Sequence, residues 1–256
     1  MFCKVCSNTS QKIFTAQILK KYDISYFHCT RCGFLQTEEP YWLAEAYLEP
    51  ISVTDTGVLS RNISLSKITA VLAFFLYKPE GKFLDFAGGY GLFTRLMRDY
   101  GFDYYWHDIY TQNIFAKGFE YELHSGLPIQ LVSSFECFEH LPNPLMEVEK
   151  MLAIAPSILF TTDLLPNPVP APDAWWYYAR EQGQHISFYS LETLEFIAKK
   201  YGLNFYSHWG MHLLTKKAIS PLLFRKLIEY HKTLFNNFVT KRMKGKAVGD
   251  MQQLKQ

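Results

Sequence analysis

The sequence predicts an α/β fold, an open and mostly parallel sheet covered by helices with a nucleoside-type ligand at one edge, and three observations predict it. Residues 82–86 are a short apolar run of strand character. Gly88, Gly89 and Gly91 follow as a tight turn, and residues 92–100 carry apolar side chains at helical spacing up to Gly101. A further strand, residues 104–107, delivers Asp108 at its carboxyl end. Strand, glycine turn, helix, and strand with a terminal acid is how an open α/β sheet holds a nucleoside, with the carboxylate facing the ribose hydroxyls.

Glycine spacing separates the cofactor classes that use this arrangement. A dinucleotide site wants G-x-G-x-x-G, whereas Gly89-Tyr90-Gly91 is followed here by Leu92-Phe93-Thr94. Instead Asp85 ends the first strand and precedes Ala87-x-Gly89-x-Gly91. This run resembles the D-x-G-x-G-x-G loop of class I S-adenosylmethionine-dependent methyltransferases, with Ala87 for the first glycine, a small residue that fits if its φ is negative. The resemblance implies a Rossmann-like, seven-stranded sheet, S-adenosylmethionine as methyl donor, and donor-binding roles for Asp85, Ala87, Gly88, Gly89, Gly91 and Asp108. A glycine-rich turn in an unrelated α/β domain is the plainer alternative.

The chain of 256 residues is rich in aromatics, at 17%, and its net charge is only +2. Lys and Arg greatly outnumber Glu229 and Asp250 in residues 216–256, so the basic excess lies in the tail. An overall basic surface for nucleic acid is not indicated, and no nucleic-acid partner is expected. No secretory leader pattern opens the chain, and the apolar run at residues 70–77 falls short of the roughly 20 residues of a spanning helix. A cytoplasmic protein is expected.

In chain order, Cys3-x-x-Cys6 and Cys29-x-x-Cys32 have the spacing of a four-cysteine zinc ribbon, in which Cys3, Cys6, Cys29 and Cys32 close a tetrahedral structural Zn(2+) site. Two disulfides are the alternative, less suited to a reducing compartment. Residues 12–27 suggest two short strands, and the expected boundaries are 1–40 for the ribbon and 41–78 for a helical connector ended early by Pro50. Residues 58–77, with Leu65, Ile68, Leu72 and Phe75 at helical spacing, read as the helix in front of the first sheet strand. The main domain then spans 79–217, with a helix at 112–119 and strands at 121–123 and 127–135.

Phe135-Glu136-x-x-Glu139-His140-Leu141-x-x-Pro144 resembles the segment after the fourth strand in a large subgroup of the same methyltransferases. That resemblance places Phe135 and Glu136 at the donor and Glu139 and His140 at the border of the pocket; a helix cap and its pair is the structural alternative for Glu139 and His140. A helix at 145–152 and a strand at 157–162 lead to a proline-rich loop at 163–174. Next comes Trp175-Trp176-Tyr177-Tyr178, read as an aromatic lid over the acceptor, with a core helix turn as the alternative. His185 ends this segment, Ser190 caps a helix at 191–201, and strands at 204–207 and 211–215 close the sheet.

With the cysteine module, the resemblance is closest in pattern to zinc-bearing methyltransferases of sugar and surface-glycan pathways, and implies methyl transfer to an oxygen, less readily a carbon, of a sugar, nucleotide-sugar or glycan acceptor. An rRNA base methyltransferase and a non-catalytic donor-binding domain are the alternatives. A neutral histidine suits removal of a hydroxyl proton, so His140 and His185 are the candidate bases; His185 is the expected one, carried onto the acceptor by lid closure, with Glu139 or His140 orienting the acceptor. In the tail, 218–256, Leu223, Leu227, Tyr230, Leu234 and Phe238 fall on one stripe of an amphipathic helix at 221–244. That stripe would pack on the core or on a second subunit of a homodimer, or lie peripherally on the inner face of a membrane.

Overall fold

The computed structural model describes residues 1–48, 55–124 and 126–255; Glu49 and Pro50, where the connector helix was expected to break, lie outside them. The chain runs through β1 (Gln11–Ile18), β2 (Tyr22–His28), β3 (Leu35–Thr37), α1 (Leu43–Ala46), α2 (Val58–Leu76), β4 (Lys82–Phe86), α3 (Leu92–Asp99) and β5 (Asp103–His107). It continues through β6 (Ile129–Ser134), α4 (Pro144–Ile154), β7 (Ser157–Thr161), β8 (Ser187–Phe188), α5 (Leu191–Lys200), β9 (Asn204–His208) and β10 (Met211–Thr215). Three helices end it, α6 (Pro221–Glu229), α7 (Asn236–Arg242) and α8 (Ala247–Gln253).

The main sheet has six strands in the order β5-β4-β6-β7-β10-β9. β5, β4, β6 and β7 are parallel, and β10 runs antiparallel to both β7 and β9. Successive residues along each central strand are buried on opposite faces, which is why these strands read as continuous apolar runs. Leu84, Val132, Ile158 and Leu214 meet Val148 and Met151 of α4 and Leu194 and Ile197 of α5 on one face. Phe83, Leu131, Leu159 and Leu213 meet Ala70 and Val71 of α2, Met97 of α3 and Leu227 of α6 on the other.

The seventh expected strand, at 121–123, is instead a 3-10 turn (Tyr121–His124), and the sheet edge there is a single bridge between Trp106 and Glu120. Residues 112–119 are not the expected helix. Asn113 closes them into a loop, its amide accepting from Ala116 N at 2.9 Å and donating to Ala116 O at 2.8 Å and to Glu120 at 2.7 Å, and Gly118 turns at φ +85°. Helical spacing of apolar residues cannot compete with a side chain that satisfies the backbone in another conformation. By length and composition α2 is apolar enough to cross a membrane, in contrast to the short-run expectation, yet it carries Arg61 and Lys67 and packs along α3, α6 and α7.

The amino-terminal module is not a separate body. β1, β2 and β3 share a four-stranded antiparallel sheet with β8, a strand contributed from beyond residue 185. Cys3, Cys29, Cys32 and Phe34 pack in the same core as Phe138, Phe160 and Tyr189, and Thr193 Oγ1 donates to Cys32 O at 2.7 Å. The expected aromatic lid is mostly core: Tyr177 and Tyr178 are buried, Trp175 packs on Tyr178 and Phe188, and Trp176 is 76% exposed.

The tail packs on the core through a row other than the expected one. Phe224, Leu227, Ile228, His231 and Val239 are buried, whereas Leu223, Tyr230, Leu234 and Phe238 stay exposed. A π-helical turn at His231–Phe235 shifts the helical phase, so a single 3.6-residue stripe drawn through 221–244 picks the wrong face. α8 is tied to α3 by Asp250, which accepts from Arg98 Nε at 2.8 Å and Nη2 at 2.7 Å and from Arg95 Nη1 at 2.9 Å.

Candidate active site

β4 ends on Asp85, and the glycine-rich turn wraps over its carboxylate. Asp85 is 2% exposed and accepts from Thr94 Oγ1 of α3 at 2.9 Å; burial pushes its carboxyl up to about 7. A Cβ on Gly88 would sit 2.7 Å from Asp85 Oδ2 and 2.8 Å from Trp106 Cδ1, so only glycine lets the turn pass between them. Asp85 therefore stands beneath the turn as its anchor. Ala87 adopts φ +58°, so the expected negative φ is overturned: the alanine fits because its side chain is small, at the backbone cost of about 1–2 kcal/mol that a left-handed L-residue carries.

Gly89 is the open point of the turn, with no atom within 4 Å of the position a Cβ would take. Its N–H donates to Asp108 Oδ2 at 3.0 Å, and its carbonyl accepts from Trp106 Nε1 at 2.9 Å and Thr111 Oγ1 at 2.7 Å. Asp108, at the end of β5, also accepts through Oδ1 from the N–H groups of Tyr110 at 2.7 Å and Thr111 at 2.9 Å. Backbone donors thus hold the carboxylate in one orientation, half-buried beside an open glycine. Ile109 and Tyr110 next to it are 71% and 81% exposed, an apolar wall suited to a flat base.

The end of β6 supplies the second wall. Phe135 packs edge-on against Phe93 of α3, and Glu136, at φ +51°, holds Thr161 at 3.0 Å and Arg61 Nε at 3.3 Å. Arg61 also forks onto Asp55 at 2.6 Å and 3.2 Å, tying the start of α2 to this wall. Local sequence motifs miss Arg61 and Asp55, because neither belongs to a loop pattern and only the packing of α2 brings them here.

Glu139, His140 and His185 come together, one ligand-type atom from each lying within 4.8 Å of the others. The two imidazole rings meet edge to face with centroids 4.8 Å apart. Segment 185–189 is stitched to 138–141 by Ile186 N to Glu139 O at 2.9 Å, Ser187 Oγ to Leu141 O at 2.7 Å and Tyr189 Oη to Phe138 O at 2.9 Å. His185 is thus already beside His140, and no lid has to carry it there. His185 Nδ1 donates to Tyr177 O at 2.7 Å; His140 Nδ1 lies 3.2 Å from Gln184 O and 3.0 Å from Tyr47 Oη. Because a carbonyl can only accept, the His185 ring carries the proton on Nδ1 and presents Nε2 as a lone pair, whereas His140 Nδ1 either donates to Gln184 O or accepts from Tyr47 Oη. Burial lowers His185 to about 4, and burial and then its neighbour His185 lower His140 to about 3. Burial and then the charge of Glu136 push Glu139 up to about 8. Tyr47, from the connector, is a further site residue that no motif announced.

The four cysteines also converge, their sulfurs lying within 4.8 Å of one another. Cys3 and Cys32 Sγ are 3.6 Å apart and Cys6 and Cys29 Sγ 3.4 Å apart, all four free thiols rather than two disulfides. Sulfurs bound tetrahedrally to one zinc at about 2.3 Å would stand roughly 3.8 Å apart. The donor set therefore fits one ion with no position left for water, and it could hold zinc.

A methyltransferase-domain family model matches residues 61–208. No curated protein sequence is similar enough to count as a relative. Solved structures of similar shape include an O-methyltransferase family protein from Burkholderia thailandensis, 11% identical over 69% of this chain and 64% of that one, TM-score 0.44. Human N-acetylserotonin methyltransferase with S-adenosylmethionine is 13% identical over 69% of this chain and 66% of that one, TM-score 0.41. Magnesium protoporphyrin IX methyltransferase from Synechocystis PCC 6803 is 11% identical over 68% and 90%, TM-score 0.38. The chain spans less than two thirds of the length of the first of these. The matched span runs from Arg61 through the glycine turn, Asp108, Glu139 and His140 to the end of β9, and the chain belongs to the methyltransferase-domain family.

Proposed function

We propose that the protein transfers a methyl group from S-adenosylmethionine to a hydroxyl oxygen of a carbohydrate-type acceptor, a sugar, nucleotide-sugar or glycan. The observation that carries the donor assignment is the Asp108 carboxylate, fixed by backbone donors beside the open face of Gly89, in a methyltransferase domain. The remaining lone pairs of Asp108 take the ribose hydroxyls, Ile109 and Tyr110 cover the base, and the 87–91 turn with Phe135 and Glu136 encloses the rest. When bound, the donor supplies a methyl group already activated by its sulfonium.

The work left to this chain is to align an acceptor hydroxyl and to take its proton. His185 Nε2 is the base, because the Tyr177 carbonyl keeps the proton on Nδ1 and leaves that lone pair free. His140 and Glu139 orient the hydroxyl from the other side, and Tyr47 holds the His140 ring. The resemblance of the 135–144 run and of the four-cysteine module to sugar-pathway enzymes supports the acceptor class. Cys3, Cys6, Cys29 and Cys32 hold a structural zinc that braces β3, and through it β8 and the residues just before it, against the main sheet.

Incubation with labelled donor and a panel of sugars, nucleotide-sugars and glycans, followed by product mass and linkage analysis, tests this. An O-methyl product is expected. Label transfer to RNA alone, or donor binding without any transfer, would replace the reading by the rRNA or the non-catalytic alternative.

A further inference from the structure

Glu139 is 1% exposed, and its Oε2 has no hydrogen-bond partner among the described residues. A buried carboxyl oxygen normally has a hydrogen-bond partner, and this one is left open. The guanidinium of Arg61 is bonded to Asp55 and Glu136 rather than to it. The side chains around Glu139 include His140 and His185, each a neutral imidazole with one unprotonated nitrogen, and the Tyr177 hydroxyl. Metal-binding histidines characteristically donate their other N–H to a backbone carbonyl or a carboxylate, which sets the tautomer and aims the lone pair; here Tyr177 O stands in that role for His185, and Gln184 O is the carbonyl available to His140.

We propose that Glu139, His140 and His185 form a binding site for a divalent first-row transition-metal cation, made of residues other than the four cysteines. Two imidazoles and one carboxylate suit Zn(2+), Co(2+), Fe(2+), Ni(2+) or Mn(2+) and leave further coordination positions open. Ligand atoms on bonds of 2.0–2.2 Å stand about 3–3.5 Å apart when adjacent, so three atoms within 4.8 Å need only side-chain adjustment to converge. The cation gives the open Oε2 of Glu139 a partner and takes the place of a proton on its carboxyl. It also occupies the lone pair assigned above to proton removal, so cation binding and base catalysis by His185 exclude each other; this consequence alone rests on the proposed function.

The test uses the full-length protein with zinc left in its cysteine site. Added Co(2+) is expected to bind in one equivalent per chain, with visible ligand-field bands and without the thiolate-to-cobalt charge-transfer bands of a cysteine site. Glu139→Gln and His185→Ala should each weaken that binding by at least about 100-fold, since loss of mere supporting partners already costs 10–100-fold. Donor affinity reports that each variant is folded. Bound Co(2+) should lower turnover in proportion to occupancy. No uptake of Co(2+), or uptake unchanged in both variants, overturns the site, and full turnover with the site occupied overturns the exclusion. Co(2+) binding by a protein that methylates no hydroxyl even in the absence of Co(2+) would instead sink the proposed function and leave the metal site standing.

Discussion

The glycine turn with Asp108 and the cluster around His185, the proposed donor and acceptor sides of the site, are built in opposite ways. Asp85, Ala87, Gly88, Gly89, Gly91 and Asp108 lie on one strand, turn, helix and strand, and their hydrogen bonds run within that unit, as from Gly89 N to Asp108 or from Thr94 to Asp85. Tyr47, Glu139, His140, Tyr177 and His185 come from the connector, the end of β6 and the segment before β8, and they meet through the pairing of β8 with β3 and the hydrogen bonds between 186–189 and 138–141. A local unit keeps its geometry through backbone constraints, so substitutions there act on binding. An assembled unit depends on distant packing, so substitutions there act on chemistry and on the contacts that hold the segments together.

The largest expected effect tests the assembled side. His185→Ala should lower turnover on the true acceptor by roughly 100 to 10,000-fold while donor affinity stays near wild type, as for loss of a general base. Steady-state kinetics with calorimetry on the same sample checks this; normal turnover in His185→Ala with loss in His140→Ala would reverse the two roles.

Next comes the local side. Asp108→Ala removes an acceptor for both ribose hydroxyls, each bond to a charged group being worth about 1.5–3 kcal/mol, so donor affinity should fall on the order of 100-fold or more. Calorimetry that finds the affinity unchanged would show that the carboxylate does not touch the ribose.

A third comparison concerns the braces. Cys29→Ser should release the zinc and, because the cysteines share a core with Phe138 and Tyr189, lower the thermal midpoint of the whole chain rather than of an amino-terminal piece. Two separate melting transitions, with the main one unmoved, would mean that the ribbon is energetically independent. Asp250→Ala leaves Arg98, 2% exposed, with Asp103 as its remaining carboxylate at 2.9 Å, so the loss should be about 1.5–3 kcal/mol. Denaturant unfolding that shows no change would place α8 outside the cooperative unit.

The smallest effect sharpens the donor turn. Ala87→Gly relieves a left-handed alanine, worth about 1–2 kcal/mol, against the greater freedom of glycine in the unfolded chain, about 0.4–1 kcal/mol. A net gain between about 0 and about 1.6 kcal/mol is expected in denaturant unfolding, and a loss would mean that the Ala87 methyl packs more than the backbone suffers.

Much of this was legible in residue order. β4, its turn and α3 follow from an apolar run, three glycines and a helical row whose constraints are all satisfied between near neighbours. The cysteine spacing likewise specified a cluster, since two C-x-x-C knuckles need only a hairpin to bring them together. The misreadings have separate causes. At 112–119 a side-chain hydrogen-bond network around Asn113 outweighed apolar periodicity; in the tail Leu227 is buried as expected, with Phe224 rather than Leu223 beside it, and beyond the π turn Val239 rather than Phe238 is buried.

By itself the sequence determined the α/β class, the donor turn with Asp108, and the four metal-type thiols, because each rests on backbone conformations and ligands set within a few residues or one hairpin. Only the tertiary structure decided that the cysteine module and the main sheet share one core, that Tyr177 and Tyr178 are buried, and that His185 faces His140 beside a Glu139 whose Oε2 has no hydrogen-bond partner among the described residues. Those depend on β3 pairing with β8 and on which face of each helix is buried, and such long-range choices are made by the packing of the whole chain rather than by any stretch of it.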